Sequence, residues 1–108
     1  MWVISEAQKY VAKWAKEKGW MDREVPVPEQ CALLHSEVSE ALEAWRNKEP
    51  TSWTDTAGKP QGIGSEYADV LVRLLHYSAL LGIDLEEEFN RKMKYNETRS
   101  YRHGGKQG

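Results

Sequence analysis

Apolar residues recur at helical spacing in four stretches of this chain. Ala7, Tyr10, Val11, Trp14 and Ala15 follow a three-and-four rhythm that ends at Gly19, and Ser5 with Gln8 three residues later reads as a capping box. That pattern predicts a first amphipathic helix. The segment from Gly19 to Pro28 holds two prolines and Trp20, and predicts a loop. Pro28 suits the first turn of a second helix that runs to about Lys48. On that helix Cys31, Leu34, Val38, Ala41, Leu42 and Trp45 form an apolar stripe, with Glu37 and Glu40 on its flank.

Asn47 to Gly64 is rich in Pro, Thr, Gly and Ser and predicts a long loop, in which Trp53 is placed to close over a ligand. A third helix is expected from about Ser65 to just before Gly82, a candidate C′ glycine. Ala68, Val70, Leu71, Val72, Leu74, Leu75, Tyr77, Ala79, Leu80 and Leu81 leave it almost no polar face, which predicts burial in the domain or against another subunit. Asp84 and Glu87 form a second capping box. They open a fourth helix on which Leu85, Phe89, Lys92, Met93 and Asn96 share a face. No stretch predicts a strand, an internal repeat or a low-complexity segment. The expectation is one all-α domain spanning 1–108, helical over about 1–100, with a basic, Gly-rich tail at 101–108.

Within these helices two pairs of acids stand out, Glu37 with Glu40 and Glu66 with Asp69, each spaced i and i+3. Residues three apart share a helix face, so two such helices side by side would gather four carboxylates. Hard oxygen ligands of this kind suit Mg²⁺, or Mn²⁺ in its place, and Mg²⁺ commonly bridges a few carboxylates to substrate phosphates. Asp69 leads into an apolar helix, where an unpaired carboxylate would be costly. A positive partner is therefore expected, either a metal or an Arg or Lys.

Fifteen Lys and Arg against 17 Asp and Glu give a formal charge of −2, which argues against general nucleic-acid binding. The distribution is uneven: Arg91, Lys92, Lys94, Arg99, Arg102 and Lys106 follow the acidic pairs, with Glu97 as the one acid among them. A single cysteine, Cys31, fits a reducing compartment, with the cytoplasm as the expected location. Val70 to Leu81 is too short and too interrupted, by Arg73 and His76, to span a bilayer. A chain of 108 residues leaves much surface uncovered, so an oligomer is expected.

With these residues in place the chain resembles the MazG-like all-α nucleoside triphosphate pyrophosphohydrolases. The resemblance lies in E-x-x-E on one helix (Glu37, Glu40), E-x-x-D on the next (Glu66, Asp69), then Lys92, Asn96, Arg99 and Gly105-Lys106. It covers most of the chain, from about Trp14 to Lys106. The interval between the two acidic pairs is longer and more loop-like than in compact members. The resemblance implies a four-helix-bundle-like subunit in a homodimer or homotetramer, with sites near subunit contacts. It also implies Mg²⁺-dependent cleavage between the α and β phosphates of a nucleoside triphosphate, giving a monophosphate and pyrophosphate.

On this reading Glu37, Glu40, Glu66 and Asp69 hold the metal, and Glu37 or Glu40 orients or deprotonates the attacking water. Lys92, Asn96, Arg99 and Lys106 contact the triphosphate. Trp14 and Trp53 are the candidates for stacking on the base, and His35, two residues before Glu37, for facing the site. A di-iron site of the ferritin type is excluded, because none of His35, His76 or His103 follows a Glu at the Glu-x-x-His spacing. Two alternatives stay open: a superfamily relative acting on dUTP or phosphoribosyl-ATP, and a helical module that binds metal or nucleotide without turnover.

Overall fold

A computed structural model describes residues 3–20 and 24–99. Within them the chain runs α1 (Ile4–Glu17), α2 (Val27–Arg46), β1 (Trp53–Thr54), β2 (Pro60–Gln61), α3 (Ile63–Leu80) and α4 (Leu85–Glu97). The described residues are mostly helical, and no helix is long and apolar enough to cross a membrane. Lys106 and the rest of the expected tail lie outside the described residues.

The helix ends follow local chemistry in all but one case. Gly19 (φ 82°) closes α1 and Gly82 (φ 72°) closes α3, each as the left-handed residue of a Schellman turn. In α1 the Gly19 N–H donates to the Lys16 carbonyl and the Trp20 N–H to that of Ala15; in α3 Gly82 donates to Ala79 and Ile83 to Ser78. The first of these turns throws Trp20 back over the last turn of α1, where its ring meets Trp14 edge-on at 4.7 Å. The same geometry ends α2, but with Lys48 in the left-handed position at φ 58°. Asp84 caps α4 as expected, its Oδ1 accepting from the Glu87 N–H at 3.1 Å.

The exception is the capping box expected at Ser5 and Gln8. The helix begins behind Val3 with no side-chain cap, and the Ser5 N–H donates to Glu86 Oε1 at 2.9 Å. Gln8 points inward instead. Its amide donates to Ser78 Oγ (3.0 Å) and to the Ile83 carbonyl (2.8 Å), and its oxygen accepts from the Leu85 N–H. A buried amide with three partners ties α1 to the turn between α3 and α4, a use that outweighs a cap at an exposed end.

α3 packs against α1, α2 and α4, while α2 touches neither α1 nor α4. The buried apolar core is small: Val11, Ala15, Ala41, Ala44, Leu75 and Tyr77. Three of the six are alanines, which let helix backbones approach closely. This corrects the apolar stripe expected on α2. Ala41 and Ala44 face α3 together with Gln30, whereas Cys31, Val38, Leu42 and Trp45 lie exposed in the single chain. Tyr67, Ala68, Leu71 and Leu74 on α3 are exposed in the single chain, so its burial within the domain is partial.

The long loop is more ordered than its composition suggests, and holds a two-stranded antiparallel ladder that no alternation announced. Asp55 organises it: Oδ1 accepts from the Ala57 and Lys59 N–H groups, and Oδ2 from the Gln61 amide. These hydrogen bonds, led by that from Lys59, hold the Asp55 pKa below its usual range. Gly62 (φ 97°) then leads into α3 pressed against the chain, so that a Cβ there would stand 2.6 Å from the Pro50 carbonyl oxygen and 2.7 Å from that of Thr51.

These two backbone positions make opposite predictions in thermal or urea denaturation. Lys48→Gly relieves a left-handed side-chain residue and should stabilise by about 1 kcal/mol. Gly62→Ala meets both a left-handed φ and two backbone oxygens, and should destabilise by about 2–3 kcal/mol.

Candidate metal centre

The alanine face of α2 sets that helix close to α3, and this brings the two acidic pairs together. One oxygen from each of Glu37, Glu66 and Asp69 lies within 4.8 Å of the others. Two ligands on opposite sides of one Mg²⁺ stand about 4 Å apart, so small side-chain rotations suffice to close the three around one ion. The donor set is all carboxylate oxygen, which fits a hard cation. Glu66 sits in the first turn of α3, where the positive end of the helix dipole favours a negative group.

Burial raises the Glu66 pKa above 4.5, and Asp69, Glu40 and Glu37 push it further the same way, with Lys59 opposing. Glu40 is thus part of the same negative field, although its carboxylate is outside the close triad. The expectation for Asp69 needs correction: its carboxylate is exposed in the single chain, and Glu37 and Glu66 are the half-buried members.

The ion pair at this cluster joins Arg73, one turn beyond Asp69, to Glu37 and not to Asp69. Arg73 Nε lies 3.3 Å from Glu37 Oε1, and Nη1 donates to the Tyr77 hydroxyl at 3.0 Å. Its guanidinium also lies over the Trp20 ring, 5.2 Å from the centroid. In the sequence Arg73 and His76 interrupt an apolar run. The signal was available in their spacing: Glu66, Asp69, Arg73 and His76 step by three, four and three along one face of α3.

Arg73 forms one wall of a cavity of about 520 Å³ lined by Gly19, Trp20, Val25, Leu33, His76 and Tyr77. His76 is 2% exposed, and neither ring nitrogen has a hydrogen-bond partner. Burial, and then the Arg73 charge, lower its pKa below 6.5, so the imidazole is neutral at physiological pH. Trp20 and Tyr77 lie against it, with ring centroids at 5.7 and 5.6 Å.

The other expected contacts are distributed differently. Trp14 is half-buried and reaches this region only through its contact with Trp20. Trp53 gives its indole N–H to Glu49 Oε1 at 3.0 Å, within its own loop. His35 is exposed, on a side of α2 turned about 200° from Glu37. Lys92 lines a second apolar cavity with Leu71, Leu74 and Phe89, on the side of α3 away from the carboxylates; Asn96 follows it on α4, and Arg99, just past the end of that helix, lies over the Tyr95 ring. Because α4 does not touch α2, the single chain does not bring these three residues to Glu37 and Glu40. Lys106 lies outside the described residues.

Glu66→Gln separates the two roles of this acid. A carboxylate whose folded pKa is raised favours the fold when protonated, a contribution complete below its unfolded pKa and lost as pH rises through the folded one. At neutral pH without metal, Glu66→Gln should therefore melt higher than the parent, and the difference should vanish in acid below about pH 4. Added Mg²⁺ or Mn²⁺ should raise the melting temperature of the parent and leave that of the variant unchanged.

Comparison of the chain with protein-family models, with curated proteins and with solved structures gives no match. The functional reading therefore rests on the residues and their geometry.

Proposed function

We propose that this chain is a divalent-metal-dependent nucleoside triphosphate pyrophosphohydrolase of the MazG-like all-α kind. The observation that carries this is the convergence of Glu37, Glu66 and Asp69, from two adjacent helices, within 4.8 Å, with Glu40 in the same field. Mutual repulsion of this kind is relieved by a cation of charge two, and phosphate transfer needs such a charge more than it needs covalent chemistry.

Mg²⁺ held there would supply charge neutralisation for the phosphates and a more acidic bound water. The chain's own part is to fix the reacting groups. Glu37, Glu66 and Asp69 would hold the ion that neutralises the phosphates, and the exposed Glu40 would take the proton of the attacking water. The water oxygen bonds to one of the two phosphorus atoms flanking the α–β bridge; the bridging P–O bond breaks and the products are nucleoside monophosphate and pyrophosphate. Arg73 neutralises Glu37 before a ligand arrives, so binding exchanges one cation for another at the same carboxylate.

We further propose that the working unit contains a second copy of the chain. Trp45 is 65% exposed and Tyr67 64%, and with Val38, Leu42 and Leu71 they leave apolar surface on α2 and α3. Lys92 lines a cavity on the other side of α3, and α4 makes no contact with α2 in the single chain. Pairing of copies would let one subunit's α4 serve the other's carboxylates.

Incubation with Mg²⁺ and a panel of ribo- and deoxyribonucleoside triphosphates, dUTP included, should yield monophosphate and pyrophosphate. Glu40→Gln and Asp69→Asn should each lower turnover at least about 100-fold with the helical circular dichroism signal intact. Orthophosphate plus diphosphate as products, or full activity in either variant, would sink the assignment; metal binding without turnover would favour the binding module. Trp45→Glu should shift the sedimentation coefficient to that of a monomer, and a parent that already sediments as a monomer would refute the paired unit.

A further inference from the structure

Resting on the nucleotide-hydrolase reading, we propose that the cavity between the end of α1 and α3 receives the nucleobase, and that His76 reads its hydrogen-bonding edge. Three observations converge on this cavity. Its volume, about 520 Å³, falls within the usual range for small-molecule sites. It adjoins the carboxylates directly, since Arg73 lines the cavity and bonds Glu37 at 3.3 Å. And it contains a buried imidazole with both nitrogens unpartnered.

The last point is the one that asks for a ligand. A buried polar group without a partner carries a desolvation penalty that a merely structural residue of the same shape would avoid. Phe at this position would pack against Trp20 and Tyr77 without it. A neutral imidazole presents one N–H donor and one lone-pair acceptor in a single plane. The two leave the ring in divergent directions, so a ligand meets them one at a time; a nucleobase can set one edge donor or acceptor against the imidazole while its flat face stacks on an aromatic neighbour, a combination that sugar and phosphate lack. Trp20 supplies the flat face: its ring is 37% exposed and is set against His76 by the Schellman turn at Gly19. An entering base takes the place of part of the Trp20 contact and gives one imidazole nitrogen a partner. Arg73 then lies between base and metal site, where the sugar would pass. His76 is thus a specificity-determining residue; it touches no reacting atom.

The test uses nucleosides without phosphate, so that it does not depend on turnover. In the full chain with labelled histidine, uridine, cytidine, adenosine and guanosine are titrated while the His76 ring resonances are followed. The controls are ribose 5-phosphate and inorganic tripolyphosphate. At least one nucleoside should shift the His76 signals, and both controls should leave them in place. His76→Phe should keep or raise the melting temperature, weaken that nucleoside about tenfold or more and leave Mg²⁺ affinity unchanged, with His76→Gln recovering part of the loss. Nucleosides that leave the His76 resonances unmoved overturn the proposal, even if the variant fails to fold. So does a His76→Phe protein that melts lower with every affinity intact, the signature of a structural residue. Nucleoside binding at His76 without hydrolysis of any triphosphate would uphold the cavity and remove the hydrolase reading; hydrolysis with no response at His76 would do the reverse.

Discussion

The packing of α3 is the constraint on which the other features depend. It is the one helix in contact with each of the other three, so its faces must serve different neighbours at once. Leu75 and Ser78 turn toward α1, where Ser78 meets the buried Gln8. Glu66, Asp69 and Arg73 turn toward α2. Leu71 and Leu74 line the cavity shared with α4. A helix so loaded cannot rotate without breaking the Gln8 network on one side and the carboxylate cluster on the other.

The electrostatics follow from that placement. Close approach of α2, permitted by Ala41 and Ala44, forces like charges together, and Arg73 offsets only the Glu37 member. What remains is a half-satisfied negative site with a raised Glu66 pKa, poised for a cation. Next to it the interior is arranged in the opposite sense: a neutral imidazole, two flat rings and little charge. On the proposed reading one end would take phosphates through a metal and the other a planar heterocycle, with Arg73 at the boundary. Both ends are built on α3, whose rigidity sets the distance between them.

Some of this was legible in the residues alone. The acidic pairs could be found because three-residue spacing is a property of the helix itself. The glycine ends of α1 and α3 and the Asp84 cap could be found because each is decided within one turn of chain. Other features depended on what lies across the gap. The hairpin strands are two residues each, too short for alternation to show, and their order comes from the Asp55 side chain. Gln8 carries the spacing of a capping residue, yet its amide is worth more where Ser78 and Ile83 offer buried partners.

By itself, then, the sequence determined the helices, most of their ends and the acids that share a face, because these are set by contacts within a few residues. Tertiary structure alone decided which side of α2 is the inside, that Asp69 stays exposed while Glu37 pairs with Arg73, and that Trp20 closes on His76. Those outcomes turn on competition among neighbours from distant parts of the chain. The stripe of Cys31, Leu34, Val38, Ala41, Leu42 and Trp45 has the periodicity of a core face, but of these only Ala41 is fully buried, and it joins Ala44 against α3, since small side chains let two backbones pack closely.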